Sequence, residues 1–179
     1  MSEIKLMKPT IEYAGDILKF REEILASQDE DSFAGCYNLD SYLSVEEWIK
    51  DVSMLESIET CPKDKVPSNV YVAVRLSDNK IVGMIDFRHH IDHPVLSVWG
   101  GHIGYSVRPD ERRKGYGKEM LRQVLQSCKN HGLSKVMITC DSINIASEKT
   151  IIANGGVFEK EISVDDIKMK RYWIYLQKN

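Results

Sequence analysis

A short basic segment with two glycines places the strongest constraint on the fold of this 179-residue sequence. It covers residues 112–118, reads Arg-Arg-Lys-Gly-Tyr-Gly-Lys and joins a predicted strand to a predicted helix. Glycine lets the backbone turn sharply and approach a ligand closely. The first turn of a helix has unpaired N–H groups and the positive end of the helix dipole. The segment therefore predicts an anion site, and a pyrophosphate group suits such a site.

Two familiar phosphate motifs do not fit this segment. A P-loop requires Ser or Thr after its Gly-Lys pair, whereas the pair at 117–118 is followed by Glu119. A dinucleotide fingerprint requires Gly or Ala three residues after Gly117, and that residue is Met120. The pattern that fits is Arg-x-x-Gly-x-Gly, and a solvated turn before a helix is the alternative interpretation.

The residues before this segment predict two helices and a meander of strands. Weak alternation predicts a first strand over 4–7, and Thr10 is expected to cap a first helix. Residues 26–43 show no clear period and predict an irregular loop. A capping-box pattern begins at Ser44 and predicts a second helix to about Ser57. The next predicted strands cover 70–74, 81–87 and about 95–107.

After the basic segment the pattern changes to units of strand and helix. The predicted elements are a helix over 116–131, a strand over 136–140, a helix over 145–154 and strands beginning at Val157 and covering 170–176. This order predicts a mixed α/β fold with one central sheet.

In these surroundings the chain resembles the GNAT superfamily of N-acetyltransferases. Residues 103–109 precede the basic turn like the family's fourth strand, while 144–147 and 154–158 resemble its fourth helix and the following turn. The resemblance rests on motifs over 81–158 and on element order elsewhere. It implies a single domain over 1–179 with a three-layer α/β fold. The sheet would be mostly antiparallel, splayed between two parallel strands and flanked by helices.

The resemblance also implies acetyl-CoA as the cofactor, because this turn holds the coenzyme A pyrophosphate in the family through backbone amides. The backbone of the fourth strand, near Val107, would polarise the thioester carbonyl. Asn144 would bond the pantetheine, although a helix N-cap is its alternative role. The implied cofactor-binding residues are Val107, Arg112, Arg113, Lys114, Gly115, Tyr116, Gly117, Lys118, Asn144 and Ser147.

The general base is less clearly marked, although an attacking ammonium with a pKa near ~10.4 must lose a proton, directly or through water. In many relatives a glutamate on the fourth strand is the base, and the matching position here is Gly101. His102 is chosen as catalytic because an ordinary histidine pKa suits neutral pH, and a structural histidine is the alternative. The full set of candidates is Asp86, His89, His90, His93 and His102.

The general acid of the family also lacks its usual residue. Many relatives use a tyrosine in the fourth helix, and the matching position here is Ile152, which cannot donate a proton. Tyr105 is therefore predicted as the catalytic hydroxyl nearest the reacting centre, with a packing role as the alternative. A thiolate with a pKa near ~8.5 could also leave unaided or take a proton from water.

The acceptor pocket is implied to involve the loop between the first two helices. Acidic and aromatic side chains together would suit a cationic amine through charge and cation–π contact, and a solvated acidic loop is the alternative. The residues concerned are Asp29, Glu30, Asp31, Phe33, Tyr37, Asp40 and Tyr42.

Composition limits the partners of the chain. Hydrophobic residues make up 42% and charged residues 28%, as in ordinary globular proteins. A net charge of −3 and a pI near 6.0 argue against nucleic acid. No apolar run approaches the about 20 residues that span a membrane. The four separated cysteines predict reduced thiols in the cytoplasm and no metal site.

The sequence thus predicts an enzyme that transfers an acetyl group from acetyl-CoA to a primary amine by direct attack in a ternary complex. The amine could belong to a small molecule or to a peptide. A homodimer through the late strands is common in the family. The rival interpretations are a catalytically silent coenzyme A-binding domain and a nucleotide-binding regulatory domain.

Overall fold

The structure is a computed structural model, and it describes residues 3–27 and 33–176. Its strands are β1 (Ile4–Met7), β2 (Ser68–Arg75), β3 (Lys80–Arg88), β4 (Ile103–Val107), β5 (Lys135–Asp141), β6 (Val157–Val164) and β7 (Ile167–Tyr175). Its α-helices are α1 (Ala14–Ser27), α2 (Val45–Met54), α3 (Tyr116–Asn130) and α4 (Ile145–Ala153). The mixed α/β fold that the sequence predicts is confirmed.

The strands form two antiparallel sheets. The first sheet has the order β1-β2-β3-β4, and the second has the order β5-β7-β6. Hairpin connections join β2 to β3 and β6 to β7, and all pairings within the two sheets are antiparallel. Edge strand β4 of the first sheet faces edge strand β5 of the second.

Strands β4 and β5 touch at one end and separate at the other. At the closed end the backbone N–H of His102 donates to Met137 O at 2.8 Å. Towards the carboxyl ends, no ladder joins the two strands within the residues described. Both carboxyl ends lie on the same side, since Tyr105 of β4 bonds Ser147 of α4, which follows β5. The predicted cleft between two splayed parallel strands is therefore present.

Two apolar cores cover the two faces of the first sheet. Helix α3 packs on one face through Tyr116, Met120, Leu121, Val124 and Cys128. Helices α1 and α2 pack on the other face through Ile17, Phe20, Ile24, Val45, Trp48 and Val52. Each large apolar side chain removed from water contributes about 1.5–3 kcal/mol. The sheet is thereby held rigidly from both sides, and β4 presents a fixed edge to the cleft.

The predicted strand over 95–107 is wrong in its first half. Residues Leu96–Gly100 form a wide helical turn, and β4 begins only at Ile103. Gly101 separates the two, with φ of 67°, and a β-carbon there would lie 2.7 Å from Met137 O. The strand does not run through this position, because Gly101 has a positive φ that strand residues do not adopt and its backbone packs directly against β5.

Three other predicted boundaries also differ. The side chain of Thr10 makes no cap hydrogen bond, and a 3₁₀ turn over Ile11–Tyr13 precedes α1. Helix α2 ends at Met54, a turn earlier than predicted, while the Ser44 hydroxyl caps it as predicted by accepting from the Glu47 N–H. Helix α1 reaches Ser27, inside the loop predicted over 26–43, and Asp29, Glu30 and Asp31 lie outside the described residues.

Candidate active site

The basic turn forms the start of α3 as predicted. Gly115 precedes the helix with φ of 86°, a left-handed conformation that favours glycine. Arg113 also has a positive φ, 61°. The side chain of Tyr116 is buried in the core and accepts a hydrogen bond from Arg75 Nη1 at 3.3 Å. Tyr116 therefore anchors the turn, so that only its backbone is available to a ligand.

Gly117 differs from Gly115, because neither its conformation nor its packing requires glycine. Its φ is not positive, and a β-carbon there would lie 3.6 Å from Val107 Cγ2 and 3.7 Å from Thr150 Oγ1. These are ordinary van der Waals distances. The space that a side chain would fill lies between the end of β4 and helix α4, at the mouth of the cleft. This space, beside the free N–H groups of a helix start, fits a phosphate-bearing ligand.

The positive charges of the turn are arranged in two ways. Arg113 and Lys118 are exposed to solvent. Arg112 Nε donates to Val107 O at 3.2 Å, and Lys114 Nζ donates to Glu111 at 2.9 Å. Arg112 and Lys114 therefore help to hold the turn, in addition to the anion-binding role that the sequence predicts for them.

Glu111 is a buried carboxylate that receives three cations. Its side chain is 5% exposed, and it pairs with Arg75 at 2.8 Å, Lys80 at 3.2 Å and Lys114 at 2.9 Å. Burial alone would raise the pKa of Glu111, but the hydrogen bonds from Lys114, Arg75 and Lys80 outweigh it and lower the pKa to about 2. Glu111 is therefore charged at all physiological pH values.

The backbone N–H of Val107 faces the cleft. Neighbouring residues of a strand direct their backbone groups to opposite sides. The Gly104 N–H donates to Asp86 Oδ1 of β3 at 2.7 Å, and the Arg108 N–H donates to Val82 O of β3 at 2.9 Å, so the N–H groups of these even-numbered residues face β3. Val107, between them in register, therefore directs its N–H away from β3 and towards β5.

Tyr105 and Ser147 form a hydroxyl pair across the cleft, with 2.8 Å between their oxygens. Burial raises the pKa of Tyr105 to about 12, despite an opposing contribution from the Ser147 hydroxyl. Asn144 is the N-cap of α4, because its Oδ1 accepts from the Ser147 N–H at 3.0 Å. The structure thus contains the N-cap that the sequence offered as the alternative role of Asn144.

His102 is buried at the closed end of the cleft, with 5% of its surface exposed. Its Nδ1 accepts from the Met137 N–H at 2.9 Å, so the ring bridges β4 and β5. Burial, followed by the charge of Arg88, lowers the pKa of His102 to about 4. This pKa lies below the ordinary histidine value for which the sequence analysis chose His102, and its role as the general base stays a prediction.

The other predicted bases are also engaged in local contacts. Asp86 accepts from the Gly104 N–H at 2.7 Å and pairs with Arg88 at 2.9 Å. Burial raises its pKa, while Arg88 opposes this. His89 Nε2 lies 2.8 Å from Asn69 Oδ1. The Nδ1 atoms of the other two histidines accept backbone N–H groups two residues ahead, His90 from Asp92 and His93 from Val95.

A short strap closes the side of β4 that faces away from α3. Residues 33–36 cross the strand, and Ser106 Oγ donates to Ala34 O at 2.7 Å. Gly35 packs so closely that a β-carbon on it would collide with the Gly104 carbonyl. The strap therefore covers Gly104 and Ser106 on this side of β4.

The aromatic residues of the predicted acceptor loop point to local partners. Tyr42 donates its hydroxyl to Asp51 Oδ2 at 2.9 Å, and its ring lies 6.5 Å from that of Tyr37. Phe33 is partly buried against the core of α1 and α2. Asp40 is exposed. Whether this loop binds an amine stays a prediction.

Comparison with known proteins decides the family. The sequence profile of the acetyltransferase (GNAT) family matches residues 21–151. The chain belongs to this family. Acetyl-CoA is accordingly its cosubstrate, as the sequence predicts.

Solved structures with low sequence identity share the GNAT fold. The microcin C7 self-immunity acetyltransferase MccE, in complex with acetyl-CoA and AMP, has a TM-score of 0.70 at 18% identity and covers 97% of this chain and 93% of its own. The ribosomal L7/L12 α-N-protein acetyltransferase RimL, in complex with coenzyme A, has a TM-score of 0.70 at 16% identity over 98% and 96%. A GNAT acetyltransferase from Bacillus anthracis has 0.63 at 17% over 98% and 96%. No curated protein sequence matches the chain.

Three residues of this GNAT site escaped the sequence analysis. Arg108 is 1% exposed at the end of β4, Glu111 is buried under the turn, and Thr150 of α4 faces Gly117. The first two lie in residues 108–114, where six of the seven side chains are charged, so sequence alone does not tell which are buried. The contact of Thr150 depends on how α4 packs, which no local pattern encodes.

The remaining expectations for this GNAT protein concern metal binding, membrane-spanning helices and the cysteines. In the described ranges, no cluster of three or more His, Cys, Asp or Glu side chains is arranged to bind a metal ion. No helix among the described residues has the length and apolar character to cross a membrane. All four cysteines are free thiols.

Proposed function

We propose that this GNAT protein transfers the acetyl group of acetyl-CoA to a primary amine by direct attack of the amine in a ternary complex. The observation that carries the proposal is the alignment of three features at the open end of the cleft. These are the space beside Gly117, the inward-facing N–H of Val107 and the hydroxyl pair of Tyr105 and Ser147. Together they suit a thioester whose phosphate end lies at the start of α3.

Bound acetyl-CoA supplies an activated acetyl group, whose carbonyl oxygen gains negative charge under attack and whose sulfur departs with the bonding electrons. The Val107 N–H is suited to stabilise that oxygen, because it is fixed in a strand and pays no reorganisation cost. The Tyr105 hydroxyl, with a pKa of about 12, is too weak an acid to give its proton to a thiolate of pKa near ~8.5. Tyr105 therefore donates a hydrogen bond rather than a proton.

Deprotonation of the amine is assigned to water in this proposal. His102, with a pKa of about 4, stays neutral but is a weak base for an ammonium. Asp86 has its two oxygens engaged by Gly104 and Arg88. The proton therefore leaves through solvent at the cleft mouth, a route that the sequence also allowed.

The test is isothermal titration of acetyl-CoA into the wild type and a Gly117→Asp variant. The geometry accommodates the first side-chain atom, so the variant should fold. The added carboxylate would repel the pyrophosphate, and we expect binding to fall by at least ~100-fold, since opposing like charges cost several kcal/mol. Absence of binding to the wild type, or equal binding to both proteins, would overturn the proposal.

A catalytically silent acyl-CoA-binding domain is the second candidate. It is favoured by Ile152, which is 53% exposed where many relatives have a tyrosine, and by the engaged state of Asp86 and His102. The two candidates differ in turnover. Release of free thiol from acetyl-CoA in the presence of a panel of small amines and peptides supports the enzyme, whereas tight binding without release supports the silent domain.

Oligomeric state is a separate prediction. Strand β6 is an edge of the second sheet, and Val157 and Phe158 on it are 56% and 54% exposed. An exposed edge strand can pair with a second copy. The predicted homodimer is therefore compatible with this edge and can be checked by light scattering.

A further inference from the structure

The buried carboxylate of Glu111 is unexpected beside an anion site. It lies one residue before the basic turn and removes one unit of positive charge from the region where a pyrophosphate would bind. If the turn attracted its ligand by charge alone, a negative side chain here would weaken binding. The buried Glu111 carboxylate must therefore act in some way other than by attracting the ligand electrostatically.

The contacts of Glu111 connect the turn to the first sheet. Oε2 accepts from Lys114, which belongs to the turn, at 2.9 Å and from Arg75 of β2 at 2.8 Å. Oε1 accepts from Lys80 of β3 at 3.2 Å. The backbone N–H of Glu111 also donates to Arg108 O at 2.9 Å. The Glu111 carboxylate thereby connects the glycine-containing turn to the two central strands β2 and β3.

The turn needs such a tie because of its backbone. Arg113 and Gly115 both have positive φ values, 61° and 86°. A non-glycine residue such as Arg113 persists in that strained region only when surrounding contacts hold it there. Without an anchor, a glycine-containing turn would sample many conformations and would lose entropy on binding a ligand.

We propose that Glu111 is a positioning residue, which holds the turn at 112–118 in the conformation that binds the coenzyme A pyrophosphate; this rests on the proposed function. Glu111 touches no ligand itself. It acts through Lys114 and through the backbone that links it to Arg112. Preorganisation of the turn outweighs the unfavourable charge.

The inference is tested by whether the substitution of Glu111 weakens or strengthens coenzyme A binding. Coenzyme A is titrated calorimetrically into the wild type and into Glu111→Gln, which makes the region one unit more positive. We expect the variant to bind at least tenfold more weakly, because the neutral amide cannot hold three cations. Equal or tighter binding by Glu111→Gln would overturn the inference and leave charge as the determinant.

Asp78→Asn provides the matched control. Asp78 also pairs with Arg75, at 2.7 Å, but it lies in the β2–β3 hairpin and makes no contact with the turn among the interactions described. The control adds the same unit of positive charge, and coenzyme A should bind it within threefold of the wild type. A tenfold loss in Asp78→Asn as well would mean that the Arg75 network, rather than Glu111, controls the turn, and would overturn the inference.

Glu111→Asp separates position from charge and serves if Glu111→Gln does not fold. It keeps the charge but shortens the side chain by one methylene group, and we expect weaker coenzyme A binding together with faster amide exchange confined to residues 112–117. Wild-type affinity and exchange in this variant would overturn the inference. Failure of the wild type to bind coenzyme A would instead overturn the proposed function, and the Glu111 inference with it.

Discussion

The two sides of strand β4 use glycine for opposite purposes. On the side of α3, a β-carbon on Gly117 would make only ordinary van der Waals contacts with Val107 and Thr150, at the mouth of the cleft. On the other side, Gly35 and Gly104 are pressed together, and a β-carbon on Gly104 would lie 2.7 Å from the Gly35 nitrogen. Gly117 thus has room for a side chain at the place where we propose that the cosubstrate lies, whereas packing requires glycine at positions 35 and 104.

This difference shows how the cleft is built. The strap at 33–36 is drawn against the back of β4, where the Ser106 hydroxyl donates to Ala34 O at 2.7 Å. The strand is thereby supported from behind, while its front edge and the start of α3 stay open for the cosubstrate. A cleft that must hold a thioester in one orientation needs both a rigid wall and an empty space.

Alanine substitutions at Gly35 and at Gly117 should differ in their effect on the free energy of unfolding. This difference is the largest effect that we expect. Gly35→Ala should lower the free energy of unfolding by about 3 kcal/mol or more, because it combines a left-handed φ of 76° with a backbone collision. Gly117→Ala should leave it unchanged or raise it by up to about 1 kcal/mol, since alanine favours a helix. Urea denaturation measures both.

In acetyl-CoA binding the two variants should rank the other way round, so that the more stable variant, Gly117→Ala, binds more weakly. Gly117→Ala is expected to weaken acetyl-CoA binding although the protein is stable. The folded fraction of Gly35→Ala should bind as the wild type does, because the strap lies behind the strand. A Gly35→Ala protein as stable as the wild type would show that the strap can move away from β4.

The cofactor side could be predicted from sequence because it is contiguous. The turn, its glycines and the start of α3 lie within residues 112–118, where local backbone chemistry decides the structure. The helix at 116–131 and the strands at 70–74 and 136–140 were likewise predicted to within a few residues, because their apolar patterns are strong.

The back of β4 could not be predicted in this way. It is assembled from Gly35, Asp86 and Gly104, which are far apart in the sequence and meet only through the fold. The same applies to His102, whose low pKa comes from burial against β5 rather than from its neighbours in the chain. Local patterns give side-chain type and spacing, but burial and long-range partners depend on packing.

Arg108, at the end of β4, contacts helix α1 and strand β3. Its substitution should cause the second largest loss of stability that we expect. Its guanidinium is 1% exposed and bonds Glu23 at 2.6 Å, Asp16 at 2.9 Å and Ile81 O at 2.6 Å. Arg108→Met should lower the free energy of unfolding by about 2 kcal/mol, less than for a fully buried pair, since the side chains of Asp16 and Glu23 are 26% and 41% exposed.

Arg122→Met is the matched control for Arg108→Met. Arg122 pairs with Glu119 at 2.7 Å, but its own side chain is 66% exposed. The loss of a surface pair should change stability by less than about 0.5 kcal/mol. Thermal or urea denaturation of the two variants compares them directly, and equal losses would mean that the Arg108 cluster adds nothing beyond an ordinary surface ion pair.

The smallest effect that we expect is a loss of stability at acid pH. It arises from His102, which joins β4 to β5 at the closed end of the cleft. Its pKa is about 4 in the folded protein and about 6.5 in an unfolded chain. Between these values the unfolded chain binds more protons, so stability falls as the pH falls below about 6.5. The loss attributable to His102 should reach at most about 1.4 kcal/mol for each pH unit.

His102→Asn isolates this contribution, because the Asn oxygen can accept the Met137 N–H in place of Nδ1. Urea denaturation at pH 7.5, 6.0 and 5.0 should show a shallower acid loss in the variant than in the wild type, with no difference in slope above pH 6.5. Identical slopes at every pH would mean that His102 takes up its proton in the folded protein as easily as in the unfolded chain. A histidine with that ordinary pKa at the cleft would again be a fit general base, and the proton of the amine would no longer need to leave through water.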